Sequence, residues 1–354
     1  MPLKKILCHM KLSTVTSVVV TLLFAAIICF LFPQLTEAKN TKTEMPYYIE
    51  TIKSPQQIND NVSYYDLRVE SGKTEKVELK MHNTSDRPLT LLVKVNTART
   101  GTGGNIDYSG DKKSHLAESL TYSFEELVTG DQEVILQAGE TKVVPYYIKV
   151  PKRSFSGVIL GGFYIQEKPV DSGKSKKTGV SIENRYAYVV GCKISETDQS
   201  VEQKFALNNP QLKEWNYAPN IQVDLINQAS RIISHYELTG SIKKKKGRIV
   251  QTITPKTFSM APDSKYRLLE GIRLESFPPG EYIYELTITG DRKTWELSEK
   301  FTISANEIQQ VKEQTGLEDS FSKVLKVVIV MIGILIFITV IVLFRRRRKH
   351  EKNN

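Results

Sequence analysis

Few side chains in this chain have the type and spacing that chemistry requires. Five histidines are scattered along it, and His82, His115 and His235 stand far apart with no HExxH or comparable spacing, so no zinc site is predicted. There is no GxSxG elbow, and three cysteines, Cys8, Cys29 and Cys192, form no CxxC pair. The glycine-rich string GTGGN (101–105) lacks the Lys-Ser/Thr pair and the helix of a phosphate loop, and reads as a hairpin tip. In DYSGD, Asp107 and Asp111 offer two carboxylates to a calcium ion, but the oxygen-rich loop and closing glutamate are missing. Glu125 and Glu126 are neighbours in sequence, which does not set two carboxyl groups across a glycosidic bond. The expectation is no catalytic residue, no metal and no cofactor.

The two ends say where such a chain works. Lys4, Lys5 and Lys11 precede an apolar run over residues 15–32, and Thr36 and Ala38 are small residues before a cut, so residues 1–38 are read as a signal peptide. Residues 327–344 hold no charge and 15 Ile, Leu, Val or Phe. As a helix, this run is about 27 Å long at ~1.5 Å per residue, enough to cross a bilayer core. The expected membrane span is residues 324–344, and the RRRRK string that follows places tail 345–354 in the cytoplasm. KEQTG (312–316) lacks the leading Leu-Pro of a sortase signal, so the anchor is read as permanent, with residues 305–323 as its stalk.

Charge and cysteine usage agree with an exterior protein. Residues 1–38 carry +2 and residues 323–354 carry +7, leaving +1 of the total +10 on everything between. The basic balance therefore belongs to the membrane flanks and predicts no nucleic-acid partner. Only Cys192 remains outside, so no internal disulfide forms there, which favours a bacterial surface over a stapled animal domain. Cys192, in AYVVGCKI, is read as a small buried apolar residue.

The exterior reads as strand upon strand. Val77, Leu79 and Met81 alternate with polar residues, as do Leu91, Val93 and Val95, and then Val144, Tyr146, Ile148 and Val150. Turn strings such as NTSDRP, QAGE and FPPGE divide them, and SFEELV (123–128) is the one helical turn expected. GVILGGFYI (157–165) is read as a strand buried on both faces, in which Gly161 and Gly162 permit a bulge or a close backbone approach. KKKKGR (243–248) is read as a charged hairpin tip on a protected edge, with contact to anionic glycans as the alternative. The fold class expected is all-β: two tandem immunoglobulin-like β-sandwich domains, residues 46–196 and 201–304, with the signal peptide and one C-terminal transmembrane helix.

Particular strings carry a resemblance beyond these patterns. NIDYSGDKK, LTYSFEELV, QAGET with its following strand, and FSGVILGGFYIQEK resemble the first, peptidoglycan-binding domain of the WxL-interacting proteins of Gram-positive bacteria. SMAPDSKY, FPPGEYIYELTITG and the strand over residues 295–303 resemble that family's second, host-binding domain. The resemblance implies a non-enzymatic, membrane-anchored surface scaffold that contacts peptidoglycan, pairs with WxL-domain surface proteins and binds host matrix proteins such as collagen or fibronectin. With glycan as the ligand so implied, Asn105, Asp107, Tyr108 and Asp111 are the candidate contacts: amide and carboxylates for sugar hydroxyls, and a ring face for stacking. Tyr108 packing a hairpin is the structural alternative. A wall hydrolase or transferase whose carboxylates converge in three dimensions, and a stand-alone host adhesin, are the functional alternatives.

Overall fold

The computed structural model describes residues 45–111, 115–169, 186–316, 328–334, 336–337 and 340. The expected signal peptide and basic tail lie outside the described residues. Those residues of the expected span 324–344 that are described are helical, and the rest lie outside the described residues. Among the described residues, no helix is long and apolar enough to cross a membrane.

Apart from those helical residues of the expected span, two short α-helices and one 3-10 turn, the described chain is all-β. Twelve strands come first: β1 (Tyr47–Ile52), β2 (Tyr65–Arg68), β3 (Thr74–Asn83), β4 (Leu89–Thr97), β5 (Arg99–Thr100), β6 (Ile106–Asp107), β7 (His115–Leu116), β8 (Val128–Gly130), β9 (Glu133–Leu136), β10 (Thr141–Lys149), β11 (Ile159–Glu167) and β12 (Ala187–Ser195). Helix α1 (Phe124–Leu127) occupies the predicted helical turn. One sheet has the order β1-β3-β10-β8 and a second the order β2-β12-β11-β4-β9. The alternating apolar residues meet between them: Leu79, Met81, Val144, Tyr146 and Ile148 share a core with Leu91, Val93, Phe163, Ile165 and Cys192. Each such side chain, fully buried, contributes about 1.5–3 kcal/mol of hydrophobic stabilisation. Turn chemistry fixes the registers. Asn83 Oδ1, for example, accepts from Ser85 N (2.9 Å) and Ser85 Oγ (2.7 Å), which starts the NTSDRP turn between β3 and β4.

The second group is β13 (Phe205–Trp215), β14 (Ala218–Asn227), β15 (Ile233–Lys244), β16 (Ile249–Met260), β17 (Ser264–Gly271), β18 (Gly280–Gly290) and β19 (Lys293–Ile303). Its two sheets have the orders β13-β14-β17-β7 and β16-β15-β18-β19. Ile221, Val223, Leu225 and Leu268 face Leu238, Ile242, Ile253, Leu286 and Ile288 across a second core. The basic run lies at the β15–β16 turn, where Lys243 and Lys245 each reach a glutamate of β18, Glu285 and Glu281, at 2.5 Å.

Two features depart from expectation. Residues expected to begin the stalk form α2 (Ala305–Thr315), opened by a capping box in which Ser304 and Glu307 satisfy each other's backbone N–H. Val311 of α2 is buried in the second core and Ile308 packs against it. The other departure is β7, a segment from within the first group that pairs His115 with Lys265 and Leu116 with Ser264 at the edge of β17.

Candidate functional site

The glycines of β11 explain where the candidate residues sit. Successive strand residues point to opposite faces, so neighbouring glycines open space on both sides of one sheet. A Cβ on Gly161 would lie 2.1 Å from the ring of Phe124, and one on Gly162 would lie 2.9 Å from Tyr108 Cδ1. Two aromatic rings need this space, Phe124 in the core and Tyr108 on the outer face. No bulge is present, since β11 pairs in unbroken register with β12 and β4. Gly162 faces Gly191 across the strands, and a Cβ on Gly191 would lie 3.5 Å from the Tyr108 hydroxyl. Tyr108 thus lies against the glycine pair of β11 and β12, and with Ile106 of its own hairpin it packs against the small cluster of Ala98, Leu160 and Ala261. Asn96 Nδ2 donates to Tyr108 O at 2.8 Å and holds the loop to β4. Burial, then the neighbouring Tyr64 and Cys192, push the Tyr108 phenol up to about 12.

The other three candidates share one concavity. Asn105, Asp107 and Asp111 line a cleft of about 350 Å³ together with Thr102, Ser109 and Trp215. The 101–105 turn joins β5 to β6, with Gly101 N donating to Asn105 O at 2.9 Å. Asp107 accepts from Ser109 N and Ser109 Oγ, both at 2.9 Å, through its two oxygens. That tie fixes its carboxylate at the rim, where the remaining lone pairs can accept from a ligand's O–H or N–H. Asn105 and Asp111 are exposed, and Asp107 and Trp215 are half-buried. Trp215 ends β13 in the second group, beside a two-residue hairpin loop in which Asn216 (φ 50°) and Tyr217 (φ 60°) are both left-handed. Sequence reasoning singled out the loop residues and not Trp215, because nothing local connects the WNY turn to a loop so far away in the chain.

A network across the two groups of strands holds this arrangement. Thr100 Oγ1 lies 2.6 Å from Ser264 Oγ and accepts from Ala261 N at 3.1 Å, all of it buried. Ser259 N donates to Gly104 O at 2.8 Å, and Ala117 N donates to Asp263 O at 2.7 Å. Asp263 is buried and left-handed (φ 46°), and its carboxylate accepts from Ser119 Oγ and Ser230 Oγ, each at 2.7 Å. Gly157 (φ 84°) passes so close to Ser230 that a Cβ there would lie 2.2 Å from the Ser230 carbonyl. Ala98, Leu160 and Ala261 form a small apolar cluster of their own in this joint.

A second cleft, of about 260 Å³, opens along the same joint between Tyr122, Phe155, Ser230 and Asp263. Two of its polar groups are bonded: the Asp263 carboxylate accepts from Ser230 Oγ, and Thr97 donates through N and Oγ1 to the Glu125 carboxylate outside the cleft. Two carboxylates, Asp107 and Asp111, share the open cleft described above. The buried carboxylates instead bind neighbours: Asp66 lies 2.9 Å from Lys193 Nζ, Glu270 lies 2.6 Å from Lys256 Nζ, and Asp263 holds its serines. His82 is a packed residue, bonded to Thr141 Oγ1 at 2.9 Å and Glu50 Oε2 at 3.1 Å and stacked on Tyr48. Cys192 is fully buried, and burial pushes its thiol far above the ordinary range. Among the described residues, no group of His, Cys, Asp and Glu is placed to hold a metal ion.

Comparison with known proteins gives the chain its relatives. No curated protein sequence matches it. Among solved structures, it is similar to the YadV chaperone (10% identity over 73% of this chain and 100% of that one, TM-score 0.30). It is also similar to a chaperone–tip adhesin complex of CFA/I fimbriae (11%, 71% and 98%, TM-score 0.29) and to a PapD-like domain of human CEP192 (12%, 48% and 99%, TM-score 0.27). Family profiles match in tandem: "WxL Interacting Protein, peptidoglycan binding domain" over residues 47–167 and "WxL Interacting Protein, host binding domain" over residues 177–313. Together these matches span well over half of the chain and place both domain types in the family's order, so the chain belongs to the WxL Interacting Protein family.

Proposed function

We propose that this chain is a non-enzymatic cell-surface scaffold, anchored in the membrane by residues 324–344, that joins peptidoglycan to WxL-domain surface proteins outside the cell. The observation that carries the reading is the tandem match, a peptidoglycan-binding domain followed by a host-binding domain. The uncharged apolar run over residues 327–344, with RRRRK directly behind it, supports the anchor and its orientation. Two immunoglobulin-like sandwiches suit the task, because sheet edges and loops present area for binding without a catalytic pocket. Asn105, Asp107 and Asp111 are the glycan contacts in this reading, with Tyr108 bracing their loop from beneath. The rim supplies an amide and two carboxylates, which complement sugar hydroxyl and acetamido groups.

The test is retention of a fragment spanning residues 39–322 on purified sacculi and, separately, on an immobilised WxL-domain protein. Retention on both is expected, with no release of soluble muropeptides. Retention on neither removes the binding claim, and muropeptide release abolished by one Asp or Glu substitution would make the protein a hydrolase. The description of the second domain favours a further role, attachment to host matrix proteins such as collagen or fibronectin. Binding of the same fragment to collagen-coated and fibronectin-coated surfaces tests that role, and binding to neither would remove it.

A further inference from the structure

We infer that the glycan site is bipartite: Trp215, carried by the region matching the host-binding domain, supplies the stacking wall of a cleft whose polar wall comes from the peptidoglycan-binding domain. This rests on the wall-binding reading and goes beyond it in naming the shared site and its ligand class. Six side chains carry the argument. Thr102, Asn105, Asp107, Ser109 and Asp111 on one side and Trp215 on the other line the same cleft of about 350 Å³. The two sides belong to different family matches, residues 47–167 and 177–313.

The cleft is held in shape before any ligand arrives. Thr100 is tied to Ser264 and Ala261, Gly104 O to Ser259 N, and β7 to the edge of β17, so the loop carrying the polar wall cannot shift without breaking buried bonds. Across the cleft, the Trp215 backbone is held by strand pairing, opposite Ala218 at the end of β13. An indole opposite hydroxyl, amide and carboxylate groups suits a pyranose ring: the ring takes the C–H face while the polar wall takes O–H and N–H donors. With the Asp107 carboxylate at the rim, a phosphate-bearing polymer is repelled, because like charges in a partly dry cleft are costly. The ligand class is a neutral glycan of N-acetylhexosamine type.

The experiment uses the full-length chain in detergent micelles and sacculi stripped of attached anionic polymers, with Trp215→Ala, Trp215→Phe and Trp215→Leu. Wild type and Trp215→Phe should be retained. Trp215→Ala and Trp215→Leu should bind about tenfold or more weakly, the loss typical of a buried aromatic anchor. The leucine variant keeps bulk without an aromatic face, so a folding defect in the alanine variant does not decide the outcome. Neutral chito-oligosaccharide should displace the chain, and soluble polyphosphate should not. Leucine and alanine variants that bind like wild type at unchanged melting temperature would overturn the bipartite site, and displacement by polyphosphate alone would overturn the ligand class. Wild type that fails to bind sacculi would overturn the wall-binding reading itself, and this inference with it.

Discussion

Gly161 and Tyr108 show how much a single side chain decides in this protein. An added methyl at Gly161 would lie 2.1 Å from the Phe124 ring, which is itself fully buried between the sheets. Gly161→Ala is therefore expected to cost about 1–3 kcal/mol through overpacking. Gly139→Ala is its contrast: φ there is 70° but nothing lies within 4 Å, so its cost is backbone strain alone. Urea unfolding of the two variants measures the difference; equal, negligible losses would contradict the packing account. The phenol of Tyr108 sets a second expectation. Its folded pKa of about 12 lies above the ordinary 10.0, so the protonated ring favours the folded state. That contribution is fully present below pH 10 and is lost as pH rises towards 12. Alkaline spectrophotometric titration should show a late-ionising tyrosine class that loses one member in Tyr108→Phe. An unchanged late class would mean that the ring is solvated. At this scale the sequence was legible in part: the opened strand was readable from GVILGG, but which rings filled the space was not, because Phe124 reaches β11 from α1 and Tyr108 from the loop after β6.

Among the elements, the long strands and their tight turns were readable, and the short pieces that tie the two groups together were not. Period-two runs such as Val144, Tyr146, Ile148 and Val150 announce half-buried strands, and all of these side chains are buried. Helix α2 escaped because ANEIQQVKEQT has few apolar residues to set a period, although Ser304 and Glu307 at capping-box spacing are a readable start signal. Ser304→Ala should destabilise this helix and its packing of Val311 by about 1 kcal/mol. Thermal unfolding followed by far-ultraviolet dichroism checks this, and no change would mean that α2 is held by Val311 alone. Strand β7 was out of reach for a different reason. A two-residue pairing to a distant edge leaves no periodicity, and it forms because the joint around Asp263 brings the segment there. Asp263→Ala leaves Ser119 and Ser230 without their acceptor and a left-handed residue without its side-chain ties. The expected cost is about 3–6 kcal/mol, since the two hydrogen bonds to the carboxylate are worth roughly 1.5–3 kcal/mol each. Limited proteolysis should then cut the connection between the sandwiches faster than in wild type; an unchanged rate would show that the apolar contacts of Ala98, Leu160 and Ala261 suffice.

At the scale of the whole molecule, the described residues form two large cores and a buried joint between them, and the candidate site straddles that joint. This is why the site was half legible: Asn105, Asp107 and Asp111 announced polar chemistry within one loop, whereas Trp215 joins them only after both sandwiches have folded. The family strings identified kinship over both domains, because they are local and do not depend on how the domains meet. The proposed function places both sandwiches on the wall side of the membrane and the arginine-rich tail within the cell. Protease treatment of intact cells expressing the full-length chain with an epitope on each end of the 45–354 segment tests it directly. The account predicts loss of the epitope preceding the first sandwich while the epitope behind RRRRK survives. Survival of the first with loss of the second would reverse the orientation and remove the basis for wall binding.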